Sequence, residues 1–231
     1  RRQLKGTCGK PGAMDSSWTG ACQVFVCDLA PKLQELELRQ VFGFYGDIVS
    51  LEHIDEVSGG SAVIAYSSAE AAKEAAETVH LASVRGKTCR CLRWSVVEAI
   101  WKTMETGHRL QFEGLDRKLT SQGLQDMCSL FGTVLDCKVQ TDEEDLSRGY
   151  GFVHFAEKEY ALKATLLLNG LQIGSSCVQV RPAAPGDLEL FTGCIYSLAT
   201  AVRAVYQPPA DWMSPNLEAY GAGWEDERWE K

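Results

Sequence analysis

The stretch Arg148-Gly149-Tyr150-Gly151-Phe152-Val153-His154-Phe155 decides the fold. In an extended strand, successive side chains point to opposite faces. Val153 and Phe155 then face one side, as a core would require, while Tyr150, Phe152 and His154 share the other. Two aromatic rings one pleat apart on the same face suit two unpaired bases, because every base has a stackable π-face. Gly149 and Gly151 add no side chains to crowd those rings, and Arg148, on the ring face, can reach a phosphate.

Working outward, the stretch sits inside a regular order of elements. Before it come a strand at 110–112, a helix with Leu124, Met127, Leu130 and Phe131 at spacings of three and four, and a strand at 134–139. The helical spacing predicts one buried face from those four residues. After it come a helix at 157–168, ended by Asn169-Gly170, and a strand at 178–181. The same βαββαβ order occurs upstream: strand 24–26, helix 35–44, strands 48–53 and 61–66, helix 69–78 and strand 89–94. Repetition is therefore the organising fact. A βαββαβ unit packs two helices on one face of a four-stranded sheet and leaves the other face open. The predicted class is α+β, with two ferredoxin-like domains in tandem at 22–95 and 108–182.

The remaining segments are read from composition. Residues 1–21 carry four basic residues and only Asp15, and are predicted to be a flexible basic segment that only weakly resembles an organelle-targeting sequence. The chain opens Arg1-Arg2 with no initiator Met, the pattern of a fragment or a processed form. The linker 96–107 contains Ala99, Ile100, Trp101 and Met104, more apolar than a flexible spacer, and is expected to pack as a short helix. In 183–231, Leu188, Leu190, Phe191, Ile195, Leu198, Val202 and Val205 follow roughly one helical stripe, and a flexible acidic tail with three Trp comes after.

The 231 residues are 45% hydrophobic, which excludes disorder throughout, and no run of about 18 uncharged apolar residues can form a bilayer-spanning helix. The net charge of −8 argues against a generic polyanion binder, since non-specific affinity for nucleic acid comes from neutralising phosphates. Any such site has to be local. Residues 183–231 alone carry a charge of −5. Nine cysteines without a CxxC pair point to neither a zinc site nor a stapled secreted scaffold, so Cys128, Cys137 and Cys177 are read as small buried hydrophobes in a reducing compartment. Four dispersed histidines form no metal-ligand set. No catalytic grouping and no phosphate loop occur, so no enzyme activity, cofactor or metal is expected.

All eight positions from Arg148 to Phe155 match the RNP1 octapeptide of RNA recognition motifs. In the corresponding RNP2 strand, Leu110-Gln111-Phe112-Glu113-Gly114-Leu115, an aromatic is replaced by Gln111, which can still hydrogen-bond a base edge, and Glu113 on the same face repels phosphate. The first copy is the converse. Its Val24-Phe25-Val26-Cys27-Asp28-Leu29 strand keeps Phe25 outward, but Gly59-Gly60-Ser61-Ala62-Val63-Ile64-Ala65-Tyr66 puts Ser61 and Val63 where rings should stand. The small apolar face of Phe25, Ser61, Val63 and Ala65 suits a cover better than bases. The linker around Trp101 and the helix near Phe191 are the candidate covers. The acidic run Asp142-Glu143-Glu144-Asp145 is read as a solvated turn.

Over residues 22–182 the chain resembles the first two RNA recognition motifs of the poly(A)-binding proteins. The resemblance rests on Phe131-Gly132, Cys137-Lys138-Val139, Asp142-Glu143, Ser147 to Phe155, Asp28-Leu29, Gly86-Lys87 and Trp94-Ser95. It implies a trough for single-stranded adenines, with Tyr150, Phe152, Lys138 and Phe25 at RNA-contacting positions. Ser61, Val63, Gln111 and Glu113 depart from the family pattern, as does the linker Val96-Val97-Glu98-Ala99-Ile100-Trp101, which replaces a basic one. The expected site is Arg148, Tyr150, Phe152, Lys138, Gln111, Phe25 and Arg181, with the second motif as the main platform. The expected partners are single-stranded, adenine-rich RNA and proteins of translation or mRNA processing, in a cytoplasmic or nucleocytoplasmic setting and without a membrane. A rival reading is a protein-interaction module whose platforms are covered. The two differ in whether Tyr150 and Phe152 are accessible.

Overall fold

The computed structural model describes residues 20–54, 60–103, 107–174 and 176–183. The expected helix at 188–206, the acidic tail and the basic N-terminal segment lie outside them. The first unit runs β1 (Gln23–Leu29), α1 (Glu35–Phe42), β2 (Ile48–Ile54), β3 (Gly60–Tyr66) and α2 (Ala69–Val79). A short hairpin of β4 (Ser83–Val84) and β5 (Lys87–Thr88) leads to β6 (Arg90–Arg93). Helix α3 (Trp94–Thr103) crosses to the second unit, starting two residues earlier than the expected linker. That unit comprises β7 (Arg109–Glu113), α4 (Ser121–Ser129), β8 (Val134–Thr141), β9 (Ser147–Phe155) and α5 (Lys158–Leu168). It closes with the hairpin β10 (Gln172–Ile173) and β11 (Ser176–Cys177), then β12 (Gln179–Pro182).

The sheet orders are β2-β3-β1-β6 and β12-β7-β9-β8, all antiparallel, as two βαββαβ units require. Local chemistry sets the helix starts. The Ser68 hydroxyl accepts from the Ala71 amide at 3.1 Å, and the Thr120 hydroxyl from the Gly123 amide at 3.1 Å, each satisfying a donor that the first helical turn leaves unpaired. Arg85 and Gly86 both take positive φ in the β4–β5 turn, the geometry of a two-residue hairpin.

Each sheet buries its inner face under its own helices. The first core collects Val24, Val26, Leu38, Phe42, Ile64 and Tyr66, and the Tyr66 hydroxyl donates to the Phe42 carbonyl at 3.0 Å. The second collects Leu110, Phe112, Leu124, Val139, Val153 and Phe155, so Val153 and Phe155 face the core as the strand period requires. Two expectations are corrected. Leu130 is 84% exposed, because α4 ends at Ser129 and Cys128 takes the core position four residues after Leu124. Cys177 is exposed in the β10–β11 hairpin, its thiol directed at the Gly170 carbonyl 3.4 Å away, whereas Cys128 and Cys137 are buried as expected.

Candidate nucleic-acid interface

The register of the second sheet arranges its outer face in rows. Lys138 pairs with Phe152, Phe152 with Gln111 and Gln111 with Arg181, so four of the seven expected contacts form one line across β8, β9, β7 and β12. At about 4.8 Å per strand gap, that line is roughly 14 Å wide. One pleat along, Tyr150 lies opposite Glu113 and Glu113 opposite Gln179. In the other direction His154 lies between Asp136 and Arg109. The two glycines of the octapeptide serve the backbone and the core rather than ring clearance. Gly149 has φ +88°, a conformation costly for any side chain, and a Cβ on Gly151 would meet the Lys138 carbonyl at 2.7 Å and a Leu124 methyl at 3.2 Å.

Accessibility divides this face. Arg148 and Arg181 are exposed and Tyr150 is half-buried, but Phe152 is fully buried and Gln111 nearly so. The expectation that both rings stand open therefore holds for Tyr150 in part and fails for Phe152. Gln111 donates through Nε2 to Glu113 Oε1 at 2.8 Å, and Arg181 reaches the same oxygen at 3.4 Å. Glu113 thus neutralises the cation beside it rather than standing as a free repulsive charge. The Gln111 Oε1 is buried without a hydrogen-bond donor among the described residues, a deficit of about 1–3 kcal/mol that a donor edge would relieve.

At the far end, Thr103 Oγ1 of α3 donates to the Ala99 carbonyl at 2.7 Å and stands 2.7 Å from His154 Nε2. With the hydroxyl proton committed to Ala99, the His154 Nε2–H donates to Thr103. Burial, with Arg109 and His108 nearby, pushes the His154 imidazole down to about 3, so it is neutral. The ring of His108 stacks on it with centroids 6.2 Å apart.

The first sheet differs. Phe25, Cys27, Val63 and Leu92 on its outer face form a buried cluster with Trp94, Val97 and Ile100 of α3, and Leu135 of β8 packs against it. Phe25 is 2% exposed. The aromatic is outward on the strand, as expected, but lies beneath the linker helix.

Strands β6 and β8, the edges of their two sheets, are joined by a charged network that sequence reasoning missed. Arg90 is buried and donates from Nε to Asp28 Oδ2 and from Nη1 to Asp136 Oδ2, each at 2.6 Å. Lys138 also pairs with Asp28. Burial alone would raise the Asp28 carboxyl, but Arg90 and Lys138 outweigh it and hold it well below the usual carboxylate range. Nearby, the Lys87 ammonium donates to the Asp142 carbonyl at 3.0 Å and the Thr88 hydroxyl to Asp145 Oδ2 at 2.5 Å. The acidic run is therefore only partly a solvated turn, since Asp142 and Asp145 also bind the other unit. The one available signal was Asp28, a charge in a strand whose residues 24–27 and 29 are apolar.

The model of the RNA recognition motif matches residues 24–90 and 113–179. The chain belongs to that family. It is 31% identical over 172 residues to a polyadenylate-binding protein, cytoplasmic and nuclear, from Candida glabrata, covering 73% of this chain and 29% of that protein. The corresponding protein of Eremothecium gossypii is 30% identical over 166 residues, covering 70% and 28%. The chain thus spans under a third of the length of those relatives. Among solved structures, the RNA binding domain of Hrp1 in complex with RNA superposes at a TM-score of 0.52 with 20% identity, covering 72% of this chain and 99% of that one. A chain of the rna15, hrp1, anchor RNA ternary complex gives 0.56 at 20% identity, covering 71% and 97%. These likenesses support the tandem RNA recognition motif fold.

Proposed function

We propose that the chain binds single-stranded, adenine-rich RNA with its second RNA recognition motif as the main platform. The observation that carries this reading is the row Lys138, Phe152, Gln111, Arg181, flanked by Tyr150 and Arg148, on a sheet whose accessible rim holds a ring and two cations. Tyr150 supplies the first stack, and Arg148 and Arg181 meet phosphates. Gln111 offers an unpaired acceptor to a base amino group, such as that of adenine. The names of the relatives support adenine as the base and a cytoplasmic and nuclear setting. The role is binding, not catalysis.

Titration of the whole chain with A, U, C and G homopolymers at two salt concentrations tests the reading. Binding strongest to poly(A) and weakened in Tyr150→Ala is expected. Absence of binding to all four overturns it. The burial of Phe25 and Phe152 favours a second reading, a protein-interaction module with covered platforms, and that result would leave it standing.

A further inference from the structure

Helix α3 touches both platforms. Its Val97 and Ile100, with Trp94, lie on Phe25, Cys27, Val63 and Leu92 of the first sheet, while its last residue, Thr103, is hydrogen-bonded to His154 of the second at 2.7 Å. The first-sheet face is thereby closed at the positions where a base would sit, although the edge-to-edge meeting of β6 and β8 puts that face beside the second platform. A ten-residue helix is too short to persist alone in water, so α3 is held by this packing and loses its structure once lifted. Trp94 is wedged at the near end, where a Cβ on Gly20 would come within 2.5 Å of its indole.

We propose that α3 is a built-in competitor of RNA. In the closed state it confines binding to the second sheet, and a strand long enough to cross both sheets binds fully only when α3 lifts and bares Phe25. This rests on the RNA reading above. The closed population lowers apparent affinity in proportion to the open fraction.

The test uses the full chain carrying Val97→Gln and Ile100→Gln, which keep helix-compatible side chains but remove the apolar contacts. Two readouts are taken together: alkylation of Cys27, buried under α3, mapped by mass spectrometry, and affinity for a long oligo(A). Cys137, buried in the second core, is the folding control. Faster alkylation of Cys27 with Cys137 still protected, together with binding tighter by about tenfold, is expected if the open state is about a tenth populated. Cys27 remaining protected overturns the proposal, as does Cys27 opening with unchanged or weaker affinity. If Cys137 also reacts, Val97→Ala with Ile100→Ala decides by the same criteria. Absence of oligo(A) binding by parent and variant alike overturns the RNA reading and the competitor with it. Cys27 labelling tells that case from a helix that stays down.

Discussion

The two sheets share one topology and differ in what lies on their outer faces. The first carries Phe25, Cys27, Val63 and Leu92 and is closed by the apolar side of α3. The second carries Arg109, Gln111, Glu113, Lys138, Arg148, Tyr150 and Arg181, and its rim stays open at Tyr150, Arg148 and Arg181. An outer face carrying Phe25, Cys27, Val63 and Leu92 becomes core when an apolar helix is covalently adjacent, because burying a Val, Ile or Phe side chain is worth about 1.5–3 kcal/mol. The second face keeps a wet rim at Arg148 and Arg181, since charged groups are costly to take out of water. A few outward positions thus decide whether the outer face of one sheet fold is an internal interface or keeps an accessible rim.

The largest effect should come from the junction between the sheets. Arg90→Ala leaves the buried Asp136 carboxylate without its cation, while Asp28 keeps Lys138, and should lower stability by about 3–5 kcal/mol in chemical denaturation. A loss below about 1 kcal/mol would mean the two units are not joined by this network.

Phe25→Ala and Tyr150→Ala separate the faces directly. The first should cost about 3–5 kcal/mol of stability, as for a core phenylalanine, with affinity for an oligo(A) short enough to lie on the second sheet alone no weaker. The second should leave stability nearly unchanged and weaken RNA binding by about 1–3 kcal/mol. Equal losses of affinity in both variants would erase the asymmetry.

Acid should lower the stability of the fold that buries His154. The His154 pKa falls from 6.5 to about 3 on folding, so between those values the unfolded chain holds a proton that the folded chain does not. Stability therefore rises with pH across that window, by up to about 1.4 kcal/mol per pH unit, and is lost as pH falls. Asp28, depressed in the folded state, adds a loss confined to pH below its ordinary 3.8. His154→Gln should flatten the upper part of the window in denaturation at pH 4 to 6.5, and an unchanged slope would place the titration elsewhere.

The smallest effect concerns salt. With Arg148 and Arg181 as the exposed cations of the proposed site, the dependence of log affinity on log salt should be shallow, and Arg148→Ala should reduce it by about 0.7, the value for one phosphate on a single strand. A slope demanding eight or more phosphates would require another basic surface.

The fold was legible because periodicity is local. Val153 and Phe155 alternate with Tyr150 and Phe152, Ala71, Ala72, Ala75 and Ala76 line the buried side of α2, and the same order of elements occurs twice. The candidate row was legible too, since strand parity assigns Lys138, Phe152, Gln111 and Arg181 to one face. Leu130 misled because a spacing of three and four does not say where a helix ends, and one residue past the end the side chain turns to solvent. Cys177 misled because a strand-like run became a two-residue hairpin strand with no core beneath it.

The sequence by itself determined the two βαββαβ units, the core faces of the long strands and the replacement of rings by Ser61 and Val63 on the first outer face, because each follows from residue type at a spacing of two, three or four. Tertiary structure alone decided that α3 lies on Phe25, that Arg90 binds both Asp28 and Asp136, and that Lys138 answers to Asp28. Those contacts join residues 46 to 110 positions apart. Their strength comes from burial and charge pairing between residues far apart in the chain, which no local pattern records.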